Sequence, residues 1–495
     1  MPRMSPTPTL SRREVLAAAS AVGLLRCAGR SSLKSPAPAR SAVVLGAGLA
    51  GLAAAFELMK SGFDVHVLEA NAHPRGRIRT IREPFPDGLY VEAGATHVVG
   101  DPGLLALFSE LNVGLFEPAR RRWPKRVLFK RGQRSVVNAG EAIPDEDLPL
   151  REDEASLDFN GMLEKYFGTV KDHDPRNLDW SGPEFSRLDG LTAEQFLLER
   201  GASEGFRQMV ERSFCPSGSL KTMSGLALMR EALNIQLEIG WDSVKRVVGG
   251  ADTLPRALAQ RLGERVLLGA TARRIEQGAH GATVTFTRKG EMHQLSARHI
   301  VCALPGALVP QLELEPVLPT AQLQAFSRIH SVSVVQVYAA TKTRYWNARG
   351  ESGTAETDLP VGLIRDEAAF QETTAGILGA HPNGTESRRL SSLTDAVRHR
   401  EVIDAVERVH PGLQDQLLSI HSVCWDNEPT IRGAFAWLGV GQLTQQQPLL
   451  RNPHSAMVFA GDYNSHRPGF MHGALASARR AVSEVVTREA MLKAQ

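Results

Sequence analysis

The apolar and polar positions after Ser41 predict a strand, a helix and a second strand in succession. Ala42 to Leu45 form an apolar run short enough for a buried parallel strand, and an Ala/Leu-rich helical stretch follows it and stops near Gly62. The second strand covers Asp64 to Leu68 and ends at Glu69. Strands that alternate with helices in this way predict an α/β fold built on a parallel sheet.

Later segments add shorter strands and separate helices. The stretches "VLLGATARRIEQ", "ATVTF" and "HIVCALP" have the alternating or continuous apolarity of strands. In "LTAEQFLLERG", Thr192 and Gln195 have capping-box spacing, and Gly201 closes the helix. The Pro- and acid-rich stretch from Ala142 to Glu154 reads as a surface loop. Since no apolar run reaches the roughly 20 residues of a membrane helix, we expect no stable membrane span.

The formal charge of +3 depends on the first 40 residues. That segment holds seven of the 57 Lys/Arg residues and one of the 54 acids, so the remainder has 50 basic and 53 acidic residues. A net charge of −3 outside the leader gives no case for nucleic-acid binding. A length of 495 residues favours two intimately packed domains.

The four cysteines give no sign of a metal site. Cys27, Cys215, Cys302 and Cys424 are scattered without CxxC spacing, which argues against both a metal centre and a disulfide scaffold. The last three stand beside apolar residues, so buried thiols are the preferred interpretation.

Residues 1–40 are predicted to be an export leader with a linker. The apolar run from Ala17 to Leu25 is short enough for a signal-peptide core, and Arg12-Arg13 ahead of it resemble a twin-arginine signal. Arg26 directly before Cys27 fits a lipoprotein site poorly. Since the twin-arginine route exports folded proteins, the leader predicts a periplasmic or secreted protein that folds before export.

Three glycines between the first strand and the first helix predict a dinucleotide site. Gly46, Gly48 and Gly51 have G-x-G-x-x-G spacing: the first permits a tight turn, the second lets backbone approach a pyrophosphate, and the third allows close helix–strand packing. The phosphates would lie at the helix N-terminus. Glu69, at the end of the second strand, is placed to bind a ribose hydroxyl. The motif alone does not distinguish NAD from FAD.

The next residues carry a family resemblance. "EANAHPRGRIRT" is similar to the E-A-x-x-R-x-G-G-R-x-x-T signature of the flavin amine oxidases, the family of monoamine, polyamine and L-amino acid oxidases. His73 stands where the family has arginine, and Arg75 stands at its first glycine. The resemblance implies FAD as the cofactor. We expect Arg75 to supply the phosphate-binding charge of the missing arginine, although His73 or backbone amides would be the simpler substitutes.

Further matches follow in family order up to Val482. They are "YVEAGATHVVG", "RVVGGADTLPRALAQRL", and "VFAGDYNSHRPGFMHGALASARRAV". The resemblance implies cofactor contacts at Gly46, Gly48, Ala50, Gly51, Glu69, Ala70, Arg75, Arg77, Gly94, Ala95, Thr96, Ala272, Trp425, Gly461, Asp462, Met471 and Ala474.

The resemblance also divides the chain into segments. It implies a Rossmann-like FAD-binding domain with a parallel sheet, and a substrate domain with a mixed sheet and helices. After the leader, the FAD-binding domain is expected from residues 41–110, 246–305 and 426–495. The substrate domain is expected from residues 111–245, largely helical, and 306–425.

Two phenylalanines are implied to form the family's aromatic cage beside the flavin. Phe435 follows "CWDNEPTIRGAF", and Phe470 lies in "RPGFMHGA". A cage without hydroxyl groups favours an apolar or bulky amine. Ala434 stands where covalent members have cysteine, so noncovalent FAD is expected.

One departure concerns the electron acceptor. The family places a lysine ten residues before a tryptophan, where it holds a water at the flavin and assists reaction with O2. Ten residues before Trp346 stands Gln336, and Lys342 falls out of register on that strand. Gln336 can hold a water but brings no charge, so we expect slow reoxidation by O2 and allow a quinone or cytochrome as acceptor.

A second departure concerns the substrate. L-amino acid oxidases clamp the substrate carboxylate with an arginine near the segment "GATHV", where this chain has His97. Arg432 and Arg467 are alternative sources of such a clamp. An amine without a carboxylate is therefore the first expectation, oxidised to an imine and then hydrolysed to a carbonyl compound. An L-amino acid is the second, and a desaturase- or isomerase-type relative with little oxidase activity is the third.

Overall fold

The computed structural model describes residues 38–118, 125–138, 149–177, 180, 182–239, 244–382 and 384–494. The predicted leader, with Arg12, Arg13 and Cys27, lies outside the described residues. So does most of the predicted loop at 142–154.

The strands of the described residues fall into three larger sheets and three two-stranded pairs. In chain order they are β1 Ser41–Leu45, β2 Asp64–Glu69, β3 Thr80–Ile81, β4 Val91–Glu92, β5 Leu115–Phe116, β6 Lys125–Lys130, β7 Gln133–Asn138, β8 Arg246–Val247, β9 Val266–Leu268, β10 Ala270–Gly278, β11 Gly281–Arg288, β12 Glu291–Ala297, β13 His299–Cys302, β14 Glu313–Glu315, β15 His330–Ser331, β16 Val335–Thr341, β17 Glu351–Thr357, β18 Leu363–Asp366, β19 Gly376–His381, β20 Leu417–Cys424, β21 Ala436–Trp437 and β22 Met457–Phe459.

The α-helices of the described residues are α1 Leu49–Lys60, α2 Pro102–Glu110, α3 Glu152–Ala155, α4 Phe159–Phe167, α5 Pro183–Asp189, α6 Ala193–Glu199, α7 Glu204–Phe214, α8 Gly225–Ile239, α9 Thr253–Leu262, α10 Thr320–Ser327, α11 Gly384–Ser391, α12 Asp395–Val409, α13 Leu413–Gln416, α14 Gln442–Gln445, α15 Gln447–Arg451 and α16 Met471–Ala494. Short 3₁₀ helices cover Gly263–Arg265, Gly306–Gln311, Tyr345–Arg349, Trp425–Asn427 and Asp462–Asn464.

The first sheet is parallel and has the order β22-β13-β1-β2-β9. β1 is buried along its whole length, which explains why it reads as a continuous apolar run. α1, α9 and α16 pack against this sheet in one core with Val44 and Val67. The prediction of a Rossmann-like parallel sheet in an α/β fold is confirmed. Its strands come from three separated stretches of the chain.

A mixed seven-stranded sheet has the order β20-β16-β19-β18-β17-β6-β7. On one face of β16, Val335 and Val337 pack with Val402 and Val406 of α12. Gln336 alternates with these residues, so it belongs to the opposite face, where Tyr338 packs with Trp425. Because side chains alternate between the two faces of a strand, Gln336 faces away from α12.

Helices α4 to α8 form a separate apolar core. Phe167 stacks on Phe196 with ring centroids 5.7 Å apart, and Phe206 joins the same cluster. The capping box predicted at α6 is confirmed: Gln195 N donates to Thr192 Oγ1 at 3.1 Å, and Thr192 N donates to Gln195 Oε1 at 2.9 Å. Among the residues that the structure covers, no helix combines the length and apolarity needed to cross a membrane.

A buried carboxyl at the end of β4 makes stability depend on pH. Glu92 accepts hydrogen bonds from Ala251 N at 2.8 Å and Thr80 Oγ1 at 2.9 Å, but burial outweighs them and raises its pKa from 4.5 to about 7. The folded state therefore binds more protons than the unfolded state between these values. The contribution of Glu92 to the free energy of unfolding is complete below pH 4.5 and is lost as the pH rises through 7.

We expect Glu92→Gln to remove most of this dependence. The amide keeps an acceptor for Ala251 N without a proton to lose. Between pH 4.5 and 8, the wild-type free energy of unfolding should fall relative to the variant by about 3 kcal/mol. Urea denaturation of both proteins across that range measures it, and parallel pH profiles would contradict the assignment.

Candidate active site

One large cavity runs along the carboxyl edge of the parallel sheet to the seven-stranded sheet. Its volume is about 610 Å³, within the range of roughly 300–1,000 Å³ that is typical of ligand sites. The predicted residues that line it are Gly46, Gly48, Ala50, Glu69, Ala70, Arg77, Gly94, Ala95, Ala272, Gln336, Trp425, Phe435, Gly461, Asp462, Phe470, Met471 and Ala474. The structure thus gathers residues from both ends of the chain around one space.

The glycine turn forms part of the wall of this cavity. Gly46 has a left-handed φ of +95°, and a Cβ on Gly51 would lie 1.9 Å from the Gly46 carbonyl oxygen. Gly51 therefore packs beneath the turn and does not line the cavity. Gly48 is the N-cap of α1 and faces Gly76, so that two glycine backbones form this part of the wall.

Glu69 is fixed at the end of β2 by main-chain donors. Its Oε2 accepts from Ala47 N at 2.7 Å, and its Oε1 accepts from Asn71 N at 2.8 Å and Asn71 Nδ2 at 2.7 Å. A carboxylate has about four acceptor positions, so capacity remains for a ligand hydroxyl. Asn71 also lines the cavity, and the sequence analysis missed it.

An arginine–aspartate pair joins the first and last parts of the chain at the cavity. Both terminal nitrogens of Arg77 hydrogen-bond the Asp462 carboxylate, and its Nη1 also donates to Ala434 O at 2.8 Å. Asp462 accepts in addition from Gly469 N at 2.9 Å. Since Asp462 is only 5% exposed, this pair fixes the wall next to the phenylalanines.

The structure does not bring Arg75 to the cavity, contrary to its predicted role. Its side chain is half-buried near Arg79, Asp252 and Glu428, and burial, followed by the charge of Arg79, lowers its pKa. The turn at Gly76 separates it from Arg77, which does line the cavity. The arginines present at the wall are Arg77 and Arg273.

Two alanine variants separate these roles. Arg75→Ala should change FAD affinity less than about twofold, whereas Arg77→Ala should weaken it by about tenfold or more, since a charge-assisted contact is worth roughly 1.5–3 kcal/mol. Fluorescence titration of the apoprotein with FAD measures both. A larger loss in Arg75→Ala than in Arg77→Ala would restore the compensation hypothesis.

The cavity wall also contains several residues that the sequence motifs did not indicate. β10 bulges between Ala272 and Arg274, and the intervening Arg273 lines the cavity with Thr271. Leu304 and Pro305, which follow β13, also line it. Leu304 and Pro305 could have been predicted from their position after a strand, because ligands of α/β sheets bind beyond the carboxyl ends of the strands. No sequence pattern indicates the bulge that brings Arg273 to the cavity.

Phe435, Phe470 and Trp425 also line the cavity, and Trp425 is held in place by two contacts. Trp425 Nε1 donates to Ala93 O at 2.8 Å, and the Arg79 guanidinium lies 4.5 Å from its ring centroid. A Cβ on Gly469 would lie 2.8 Å from Phe435 Cγ, so glycine lets Phe435 approach the segment that carries Phe470. The cavity is therefore apolar and aromatic where the reacting part of a substrate is expected.

Gln336 lines the cavity from the seven-stranded sheet, opposite Val423 of β20. Its Oε1 is buried and has no donor among the described residues, an arrangement that is costly unless a water or ligand supplies one. Lys342 lies elsewhere, with Nζ donating to Asp415 O at 2.9 Å. No lysine belongs to the described lining.

The residues considered for a carboxylate clamp do not form one. His97 lies outside the lining and its side chain is exposed. Partial desolvation, followed by the charges of Arg246 and Arg365, lowers its pKa and so favours the neutral imidazole. Arg467 is engaged by Glu231 and Glu238. Arg432 is exposed on the surface. The expectation that Arg432 or Arg467 supplies the clamp is therefore wrong.

Thr96 also stays outside the lining, with a structural contact instead. Its Oγ1 donates to Gly94 O at 3.0 Å and so braces the turn next to the cavity.

Comparisons with known proteins agree with this geometry. A family model described as flavin containing amine oxidoreductase matches residues 49–486. The chain is 23% identical to an L-amino-acid oxidase of Vipera ammodytes ammodytes, over 92% of this chain and 94% of that one. It is 25% identical to an amine oxidase [flavin-containing] B of Sus scrofa, over 90% and 85%. A putrescine oxidase structure, solved as wild type with putrescine bound, has a TM-score of 0.76 at 23% identity and covers 91% of this chain and 100% of that one.

Proposed function

Because the chain belongs to the flavin-containing amine oxidoreductase family, we propose that it oxidises the carbon–nitrogen bond of an amine to an imine. Water then releases an aldehyde or ketone and ammonia or a smaller amine. The electrons pass to O2, giving H2O2, or to another acceptor. The observation that carries the proposal is that one cavity is lined both by the glycine turn and by Phe435 with Phe470.

The residues at the cavity fit FAD. Gly48 and Gly76 leave room for a pyrophosphate at the N-terminus of α1, and Glu69 offers acceptors at the end of β2. Gln336, whose buried Oε1 has no donor among the described residues, lines the same cavity. A dinucleotide bound there would place its pyrophosphate at the glycines and a hydroxyl group at Glu69, and the bound cofactor or a water beside it would supply a donor to Gln336.

The chain's own residues contribute binding and exclusion of water. When bound, the flavin accepts a hydride and so supplies the redox chemistry. Phe435 and Phe470 provide apolar surfaces for the amine, and an apolar surrounding disfavours the ammonium form. A neutral amine has the free lone pair that the oxidation needs. Gln336 holds a water by hydrogen bonding, without adding a charge.

An amine without a carboxylate is the preferred substrate class, because neither His97, Arg432 nor Arg467 forms a clamp. An L-amino acid is the second candidate, favoured by the positive charges of Arg246 and Arg365 near His97.

Matched substrate pairs decide between these candidates. Each pair consists of an L-amino acid and the amine left after removal of its carboxylate, such as phenylalanine and phenethylamine. Dye-linked turnover should give a higher kcat/KM for the amine of every pair. A consistent preference for the amino acid would transfer the proposal to the second candidate, and no reduction by either class would favour the desaturase- or isomerase-type alternative.

The flavin is proposed to be noncovalent. Ala434, which lines the cavity before Phe435, has no nucleophile for a flavin bond. Acid precipitation should leave the yellow chromophore in the supernatant, and chromophore retained in the washed pellet would refute this.

Export of the folded holoenzyme is also proposed, on the strength of Arg12-Arg13 before a short apolar run. Cell fractionation of a bacterium that expresses the Arg12→Lys, Arg13→Lys double variant should find the protein retained in the cytoplasm. Unchanged export would argue against the twin-arginine route.

A further inference from the structure

A buried arginine covers one face of the Phe470 ring. The Arg467 guanidinium carbon lies 3.7 Å from the ring centroid, which is stacking contact. The Arg467 side chain is only 3% exposed. Phe470 lines the cavity, so one ring separates this cation from the space where the amine is proposed to bind.

The guanidinium is itself held by α8. Glu238 takes it in a two-point contact, Oε1 accepting from Nε at 2.6 Å and Oε2 from Nη2 at 2.9 Å, and Glu231 pairs with Nη1. Between them in sequence, Asn234 Nδ2 donates to His466 O at 3.1 Å. Positions 231, 234 and 238 fall on one helix face, so this face fixes both the backbone before Arg467 and its side chain.

Two imidazoles complete the surroundings. The His472 ring centroid is 5.7 Å from that of Phe470, and that of His466 is 5.8 Å from His472. Burial is the first cause that lowers the pKa of His472 to about 3 and of His466 to about 4. Both pKa values favour the neutral imidazole at pH 7, and Arg467 pairs directly with the two glutamates.

We propose that Arg467 is a positioning residue that sets the plane of Phe470 and thereby the shape of the amine-binding end of the cavity. The inference rests on the proposed function, in which Phe470 contacts the amine. A guanidinium whose carbon lies 3.7 Å from the ring centroid resists tilting of the ring. The contacts with Glu231 and Glu238 keep the guanidinium itself in place. Through Arg467, the position of α8 therefore affects the orientation of Phe470 in the cavity wall.

The test is a double-variant cycle with Arg467→Lys and Phe470→Leu. Lysine keeps a charge for the two glutamates but lays no planar group on the ring. Arg467→Lys should bind flavin normally and lower the limiting rate of anaerobic flavin reduction by a bulky aromatic amine about tenfold, with less effect for a small aliphatic amine. In the Phe470→Leu background the same change should alter the rate less than twofold.

The control is Arg398→Lys. Arg398 is also 3% exposed and ion-paired, to Asp395, but it lies on α12 behind the seven-stranded sheet. It should change neither the rate nor the preference between amines. Equal effects of Arg467→Lys with and without Phe470 would overturn the inference, as would no effect at all.

A readout without turnover separates this inference from the proposed function. The visible circular dichroism of the oxidised flavin should change in Arg467→Lys and should not change further when Phe470→Leu already removes the ring. If no amine reduces the wild-type flavin, the proposed function fails while this cycle still decides the positioning role. If Arg467→Lys does not accumulate, Glu238→Gln, which loosens the same guanidinium, replaces it in both cycles.

Discussion

Gly48→Ala should give a folded protein that has largely lost its flavin. Gly48 has φ −75° and ψ 175°, which any residue adopts. The nearest atom to a Cβ at this position is Gly76 Cα, 4.0 Å away. The fold therefore tolerates alanine at this position. The added methyl group would, however, keep a pyrophosphate from approaching the backbone of the glycine turn closely.

The expected result is a contrast between two measurements. The thermal midpoint of the apoprotein should stay within about 3 °C of wild type, while the dissociation constant for FAD rises at least about tenfold, a loss of roughly 1.4 kcal/mol. Gly51→Ala is the matched variant: its Cβ would lie 1.9 Å from Gly46 O, so it should destabilise the fold itself. Normal flavin affinity in Gly48→Ala would show that the cofactor does not contact this turn.

Gln336→Lys should make the reduced enzyme react faster with O2. Gln336 lines the cavity in a register that the strand fixes, and none of the described lining residues is a lysine. A cation at this position would stabilise negative charge that develops on oxygen as it is reduced. We expect the second-order rate constant to rise by about tenfold or more, a change of roughly 1.4 kcal/mol in activation free energy.

Stopped-flow mixing of dithionite-reduced enzyme with oxygenated buffer measures this rate. Lys342→Gln is the control, since Lys342 Nζ donates to Asp415 O outside the cavity and its loss should leave the rate unchanged. A wild-type rate as high as that of Gln336→Lys would remove the reason for proposing a quinone or cytochrome as acceptor.

Local sequence signals predicted the parts of the site that depend on backbone geometry. The three glycines and Glu69 needed only spacing and a strand–helix–strand order, and the structure places them accordingly. Period-two alternation likewise predicted that Lys342 could not replace Gln336.

The parts that failed depend on local irregularities of the backbone or on contacts between distant segments. Arg75 and Arg77 are two residues apart, yet a turn at Gly76 sends only Arg77 to the cavity. Arg467 looked available for a substrate carboxylate because its partners, Glu231 and Glu238, are more than 220 residues earlier in the chain. Arg273 reaches the wall through a bulge that no residue pattern announces.

Anaerobic titration of the purified holoenzyme with an apolar amine tests the central claim most directly. Each molecule of amine should bleach one flavin, and each bleached flavin should be matched by one molecule of aldehyde or ketone after hydrolysis. Full retention of the oxidised flavin spectrum in the presence of a broad range of amines, with the cofactor bound, would contradict the proposed amine oxidation.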